Sequence, residues 1–570
     1  MPSPNHIMGV VVAILLALAC LAPRLGSSVL DPIESFGMRL AEKRGLSVAL
    51  IAAAPALLRI TLLPILPIPV PDVGDEFSYL LAADTFTHGR LANPPHPMWI
   101  YFDTFHVNQH PAYMSKYPPA QGAILAIGQL LGHPWIGVLL SASAMCAGVV
   151  WMLQGWLPPR WALLGGVLVV LRLGVFGYWM NSYWGGFVAA TGGALVMGAL
   201  PRLLRSHRPR DSMILGSGIA ILANSRPFEG LIFCLPVAAV LIVWLFGSRS
   251  PTWRRTMHRI VAPTCTVLAA CGIFMACYNW RGTGHPFLLP YTINNQAYLS
   301  TPSLVWQKLR PPLQYANPQF DAFYNDLSRS EWLNGQPDTV RHALRILARD
   351  ANRLVRMFLW PELCLPLLAL PWILLDRRIR FLIVQAAICC GGFLLVAWFL
   401  PHYAAPLVAT TFAIITQGMR HLRQWRPREC PLGISLSRAI VASAVLLAPI
   451  HLSTTVNPKV PHRAWIAAQL GVTPGNHLVI VRYSAKHNVH GEWVYNRADI
   501  DHAKVVWARE IPGVAMQPLL DYFRGRKVWL VEPDSSERRL SPYPNRTENN
   551  DVFRDFSRTN HNRICFATSY

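Results

Sequence analysis

Twelve apolar runs, separated by short clusters of arginine, constrain this chain more than any other feature of it. They lie near 7–23, 46–70, 134–156, 161–180, 184–201, 211–224, 230–247, 260–280, 356–375, 381–400, 404–419 and 432–453. A helix crosses a bilayer in about 20 residues, with about 17 as the lower limit. Hydrocarbon offers no water to the backbone, so such runs must close their hydrogen bonds as helices. The expected fold class is an α-helical polytopic membrane protein of about twelve spans. Charge usage agrees: 14% of residues are charged against about 25% in soluble domains, and mean hydropathy is +0.30.

The arginines set an orientation. Arg39, Lys43 and Arg44 precede the second run, and Arg202, Arg205, Arg208 and Arg210 follow the fifth. Arg249, Arg254, Arg255 and Arg259 follow the seventh, Arg377, Arg378 and Arg380 the ninth, and Arg420, Arg423, Arg426 and Arg428 the eleventh. All five clusters fall in the cytoplasm if the twelve runs each span. The net charge of +22 is then the positive-inside signature of an inner (plasma) membrane protein, and no nucleic-acid partner is expected. The stretch 120–131 is too short to span and would invert the pattern if it did. Opened by Pro118-Pro119, it reads as a re-entrant or interfacial helix.

The first run lacks the basic start of a signal peptide and reads as an uncleaved extra span, so residues 1–45 form that span and a cytoplasmic linker. Residues 46–453 form the transmembrane domain, with outer loops 71–117 and 281–355. Nine of the 11 cysteines sit in apolar runs, and none shows zinc spacing. Residues 454–570 read as a small outer-face α/β domain with a mobile polar tail. Strands are expected at 478–483, 505–508 and 528–531, with a helix at 517–524. That domain reads as separable: truncation after about Pro461 should leave the spans and the first outer loop intact. Its Asp499-Ile500-Asp501 matches the short DxD pattern that holds nucleotide-bound metals, a pattern that also arises by chance. A divalent metal is therefore possible, and no cofactor is required.

The chemistry centres on the first outer loop. Asp75 and Glu76 follow the 46–70 run directly, and ionisable side chains at a membrane edge mark a functional site by default. A carboxylate there suits proton abstraction from an acceptor hydroxyl or amine while a sugar leaves a lipid phosphate. The departing phosphate needs fixed positive charge. Lys116, Arg226, Arg281, His285 and His402 all fall at the outer edge. Plainer readings stand beside these: snorkelling for Lys116 and Arg281, and a pairing of Arg226 with Glu229. The aromatic turn Tyr178–Gly186 reads equally well as an interfacial belt.

An acidic pair opening the first large outer loop, then Tyr117-Pro118-Pro119 and a short helix, resembles the GT-C membrane glycosyltransferases. The nearest group is that of protein O-mannosyltransferases, aminoarabinose transferases and rhizobial lipopolysaccharide-core transferases. The resemblance covers roughly 46–420. It implies Asp75 as catalytic base with Glu76 assisting, a polyprenyl-phosphate-linked sugar as donor, and inversion at the anomeric carbon. Donor-phosphate and substrate binding is expected of Lys116, Tyr117, Arg226, Arg281, His285, His402 and Tyr403. Pro401-His402-Tyr403 resembles the family's late turn, with His where Arg is common. The extra first span and the 281–355 loop depart from the simplest family pattern and leave the acceptor open: lipopolysaccharide, another glycan or a protein. A non-enzymatic transporter or flippase of a lipid-linked glycan is the alternative. Transporters favour midplane polar residues on broken, repeated helices, and here the acids lie in an outer loop.

Overall fold

The computed structural model describes residues 4–247, 252–359, 361–455, 460–535 and 539–544. Arg249, Cys565 and most of the polar tail lie outside the described residues. Six described helices are long and apolar enough to cross a membrane: Arg44–Thr61, Pro134–Trp156, Gly186–Ser206, Pro227–Leu245, Trp253–Thr283 and Leu432–His451. The chain is a multi-pass membrane protein. Joining Val340–Phe358 to Glu362–Leu375 would add a seventh span, but those helices meet at 113°.

The remaining apolar runs fall on shorter helices, and the reasons are local. Run 161–180 is α-helical only over Pro159–Val169, then passes through a π-helical turn, Val170–Val175. Run 404–419 begins as a 3-10 turn, Pro401–Leu407, before the helix Val408–Arg423. Val408, Ala409, Phe412 and Ala413 of that helix are fully buried. Its apolarity answers protein neighbours rather than lipid. Apolar letters report burial, and a helix interrupted inside protein carries them as well as a straight span does.

The half-length stretch forms the helix Pro119–Leu130, opened by a proline whose missing N–H costs nothing at that position. Two glycines dock it onto Pro134–Trp156. A Cβ on Gly137 would lie 2.2 Å from the Ile124 carbonyl oxygen, and one on Gly128 would lie 2.3 Å from the Gly137 nitrogen. Backbones approach this closely only through small residues, the usual device of membrane helix pairs.

Beyond the last span, strands His477–Val481, Val505–Arg509 and Lys527–Val531 fall within a residue or two of the expected positions, and Gln517–Tyr522 is helical. They form one sheet in the order 505–509, 477–481, 527–531, 540–542; the first three are parallel and the last is antiparallel. Alternate side chains face opposite sides. Val479, Val481, Trp507 and Trp529 pack under the helix His462–Val472 through Ile466 and Leu470. The other face carries Leu478, Ile480, Val506, Ala508 and Leu530, and there the cover comes partly from the first outer loop: Leu81, Tyr101, Phe102, Val107 and Tyr113. The sheet and the acidic loop share one core. That differs from a separable terminal domain, because an inner parallel sheet needs both faces covered and one cover is some 400 residues away.

Candidate active site

The helix Gly74–Thr87 carries both acids in its first turn. Neighbours on a helix point about 100° apart, and here that separates two roles. Glu76 turns inward and is 4% exposed. Its Oε2 accepts from the backbone N–H groups of Asp72 (3.0 Å) and Val73 (3.2 Å), and its Oε1 from that of Tyr183 (3.0 Å). The carboxylate of Glu76 is committed to caps and to the aromatic turn. Asp75 instead retains 27% side-chain exposure and accepts a hydrogen bond from the Tyr117 hydroxyl.

His106 stands 3.8 Å from Asp75 through Nε2. The loop that presents it is pinned by Ser78, whose hydroxyl donates to the His106 carbonyl oxygen and contacts the Ser115 hydroxyl, each at 2.7 Å. His106 adopts a φ of +65°, uncommon for a residue with a Cβ. Tyr79 stacks on Tyr117 at 4.7 Å, holding the phenol against Asp75.

Two cations belong to this region, Lys116 acting directly on Asp75 and Arg226 on the neighbouring tyrosines. The Lys116 ammonium lies 5.2 Å from the Tyr117 ring and 5.3 Å from the Tyr291 ring. The Arg226 guanidinium covers the Tyr403 ring at 4.6 Å. Neither makes a side-chain hydrogen bond or ion pair among the described residues. The expected Arg226–Glu229 pairing is a through-space attraction without contact. His402 is buried in an aromatic wall, with Trp184 at 4.4 Å, Tyr403 at 4.9 Å and Tyr178 at 6.4 Å. The structure therefore brings Asp75, Lys116, Tyr117, Arg226, His402 and Tyr403 to one region. Arg281 and His285 sit exposed at the end of the helix Ala262–Thr283, with no contact to these side chains.

Burial pushes the Asp75 carboxyl up, but the groups around it, among them the Tyr117 hydroxyl and the Lys116 ammonium, outweigh it and hold the acid below the usual carboxylate range. The N-terminus of the helix acts the same way. Burial, aided by Lys116, pushes the His106 imidazole down to about 3, so the ring is neutral at physiological pH. Burial lowers Lys116 to about 8, with Asp75 opposing the fall. The site at neutral pH is an ionised carboxylate beside a neutral imidazole and two cations.

His106, Tyr79 and Tyr291 are the members that sequence reasoning missed. His106 was visible only as one of four loop histidines, and nothing in the letters separates it from His88, His96 or His110. Among the described residues no group of three or more His, Cys, Asp or Glu side chains is placed to hold a metal. In the DxD segment, Asp501 binds His96 at 3.1 Å and the Tyr522 hydroxyl at 3.2 Å, while Asp499 binds His502 at 2.9 Å. Those oxygens already have partners.

No protein-family model and no curated protein matches the chain. Among solved structures it is similar to ArnT from Cupriavidus metallidurans bound to undecaprenyl phosphate, at 12% identity and a TM-score of 0.48, covering 86% of this chain and 93% of that one. It is also similar to the oligosaccharyltransferase AglB from Archaeoglobus fulgidus, bound to an inhibitory peptide and a dolichol-phosphate, at 12% identity and a TM-score of 0.44. Both are GT-C glycosyltransferases. That second match covers 77% of this chain and 62% of the archaeal one, so the chain spans under two thirds of the oligosaccharyltransferase's length.

Proposed function

We propose that this protein is a membrane glycosyltransferase that moves a sugar from a polyprenyl-phosphate donor to a cell-envelope acceptor on the outer face of the inner membrane. The observation that carries the reading is Asp75: an accessible carboxylate in a region that also holds two cations, Lys116 and Arg226, with no side-chain acceptor among the described residues. Unpartnered cations beside hydrocarbon-facing helices suit a lipid phosphate. The twelve runs are all spans in this reading, some of them broken, and the five arginine clusters are cytoplasmic.

In the reaction the acceptor oxygen or nitrogen attacks the anomeric carbon from the face opposite the lipid phosphate. Asp75 takes the proton of that nucleophile as the new bond forms. The bond between the anomeric carbon and the phosphate oxygen breaks, and the electron pair leaves with the phosphate. Lys116 and Arg226 stabilise the charge that develops there. Attack and departure on opposite faces invert the anomeric centre. Glu76 holds the first turn and the aromatic wall in place rather than moving a proton. Tyr117 aims the Asp75 carboxylate, and neutral His106 and His402 shape the pocket without adding charge.

Asp75→Asn keeps the shape and removes the proton acceptor. Transfer should fall about 10²–10⁴-fold, while photolabelling by a polyprenyl-phosphate sugar analogue persists. Near-normal turnover by a well-folded Asp75→Asn protein would reject Asp75 as the base.

A further inference from the structure

A second cationic feature borders His402. A cavity of about 520 Å³ opens between the π-helical turn Val170–Val175, the end of the helix Val340–Phe358 and the turn Pro401–Leu407. Arg172, Arg353 and Arg356 line it with Tyr178, Trp179 and His402. That volume is in the range of small-molecule sites, about 300–1,000 Å³.

The arginines are only partly neutralised. Arg172 lies within an apolar run, where a cation is expensive and usually functional. It donates to the Arg356 carbonyl oxygen, and its Nε is buried with no acceptor among the described residues. Glu362 attracts Arg172 through space without an ion-pair contact. Asp350 binds Arg349 at 3.0 Å and only more loosely Arg353, at 3.5 Å. The Arg356 guanidinium makes no side-chain bond among the described residues. A cluster of this kind is completed by an anion.

The helix that supplies two of the three arginines suggests what carries that anion. Val340, Leu344 and Leu347 are exposed on it at the spacing of one helical stripe. Arg341, Arg345 and Arg349 flank the stripe. A basic amphipathic helix with an uncovered apolar face lies in a membrane interface at headgroup level, and its last turns hang over the cavity.

We propose that the arginine cavity binds a phosphate or carboxylate group of the acceptor, presented as the headgroup of an anionic amphiphile. Lys116 and Arg226 hold the donor phosphate. The role as acceptor site rests on the reading of Asp75 as the base, whereas the anion site is testable without it.

The test is equilibrium binding of dodecyl phosphate, by titration calorimetry, to the full-length protein in neutral phosphatidylcholine nanodiscs. Two sites are expected. Arg353→Gln with Arg356→Gln should weaken one about tenfold or more and leave the other unchanged. Both guanidiniums are exposed and the Arg172 bond uses the backbone of residue 356, so thermal unfolding should not move. Lys116→Gln with Arg226→Gln should weaken the second site instead. Inorganic phosphate bound at the arginine-dependent site would show that a free anion suffices; failure to bind it would assign the site to an amphiphile. Either result supports an anion site. Two-site binding that ignores Arg353 and Arg356, or equal displacement by neutral dodecyl maltoside, overturns it. Finding the arginine-dependent site but none that Lys116→Gln with Arg226→Gln weakens would sink the active-site reading and leave this one standing.

Discussion

The membrane helices and the outer unit are held together by different physics. In the membrane body, close packing depends on positions such as Gly128 and Gly137 where a side chain has no room. In the outer unit, one apolar core is assembled from residues 81–113 and 478–543, and polar bonds cross the same gap. Asp84 accepts from the Ala498 N–H at 2.8 Å, the Tyr101 hydroxyl donates to the Ala515 carbonyl at 2.6 Å, and that of Tyr113 to the Asn496 carbonyl at 3.1 Å. Asp75 stands on the first helix of that unit, with the membrane body beneath it. The Asp75 loop therefore depends on the C-terminal sheet for its shape, a dependence that no local pattern in the loop reveals.

Removing the sheet is the strongest way to break the comparison. Truncation after Pro461 should abolish both donor photolabelling and transfer, because it strips Leu81, Tyr101, Phe102 and Tyr113 of their cover. The loop should become sensitive to protease while the membrane helices stay inserted. Retained donor labelling with a protease-resistant loop would show that the loop folds alone.

Next in size is Arg509→Met. Arg509 and Glu492 form a buried ion pair, exposed 1% and 4%, and Arg509 also donates to Gln319 at 3.2 Å. Leaving Glu492 charged and unpaired should destabilise the outer unit by about 3–5 kcal/mol. Hydrogen exchange should quicken in 71–117 and 477–531 together. Exchange that rises in the sheet alone would deny the shared core.

Gly74→Ala should act more gently. Its Cβ would fall 2.5 Å from the Tyr495 hydroxyl, whose ring stacks on Phe77 at 4.5 Å. Overpacking of this kind costs about 1–3 kcal/mol and should tilt the Asp75 helix, slowing transfer. Tyr495→Phe removes the colliding oxygen, so the double variant should recover activity; no recovery would place the strain elsewhere.

The smallest effect is a pH limb. Lys116 is cationic below about 8 and loses its charge as pH rises through that value. The KM for a lipid-phosphate donor should climb above pH 8 in the wild type. In Lys116→Arg, which stays charged, the limb should move to higher pH. An unchanged profile would remove Lys116 from the phosphate site.

Much of the architecture is legible in the letters because lipid is an unforgiving solvent. It demands apolar runs, closed backbone bonds and a biased distribution of arginine, and each demand leaves a periodic or compositional trace. The half-length helix at 119–130 and the three main strands were legible for similar reasons. Asp75, Lys116, Arg226 and His402 were all expected at one edge of the membrane body, and the fold brings them to one region. Position around that edge was not legible. Hydropathy orders residues along the membrane normal and is silent on azimuth, so Arg281 and His285 looked equivalent to Arg226 until the fold turned them outward.

By itself the sequence determined a helical membrane protein with an acidic pair after an apolar run and a small sheet after the last helix of the membrane body. Only the tertiary structure decided which carboxylate is available. Asp75 and Glu76 are chemically near-identical, and the backbone N–H groups of Asp72 and Val73 just ahead of them, with that of distant Tyr183, consume Glu76. Arg226 over Tyr403 and the loop under the sheet likewise join residues hundreds of positions apart. Contacts of that range carry no local signature, because what selects them is the closing of a loop in space rather than the propensity of either segment.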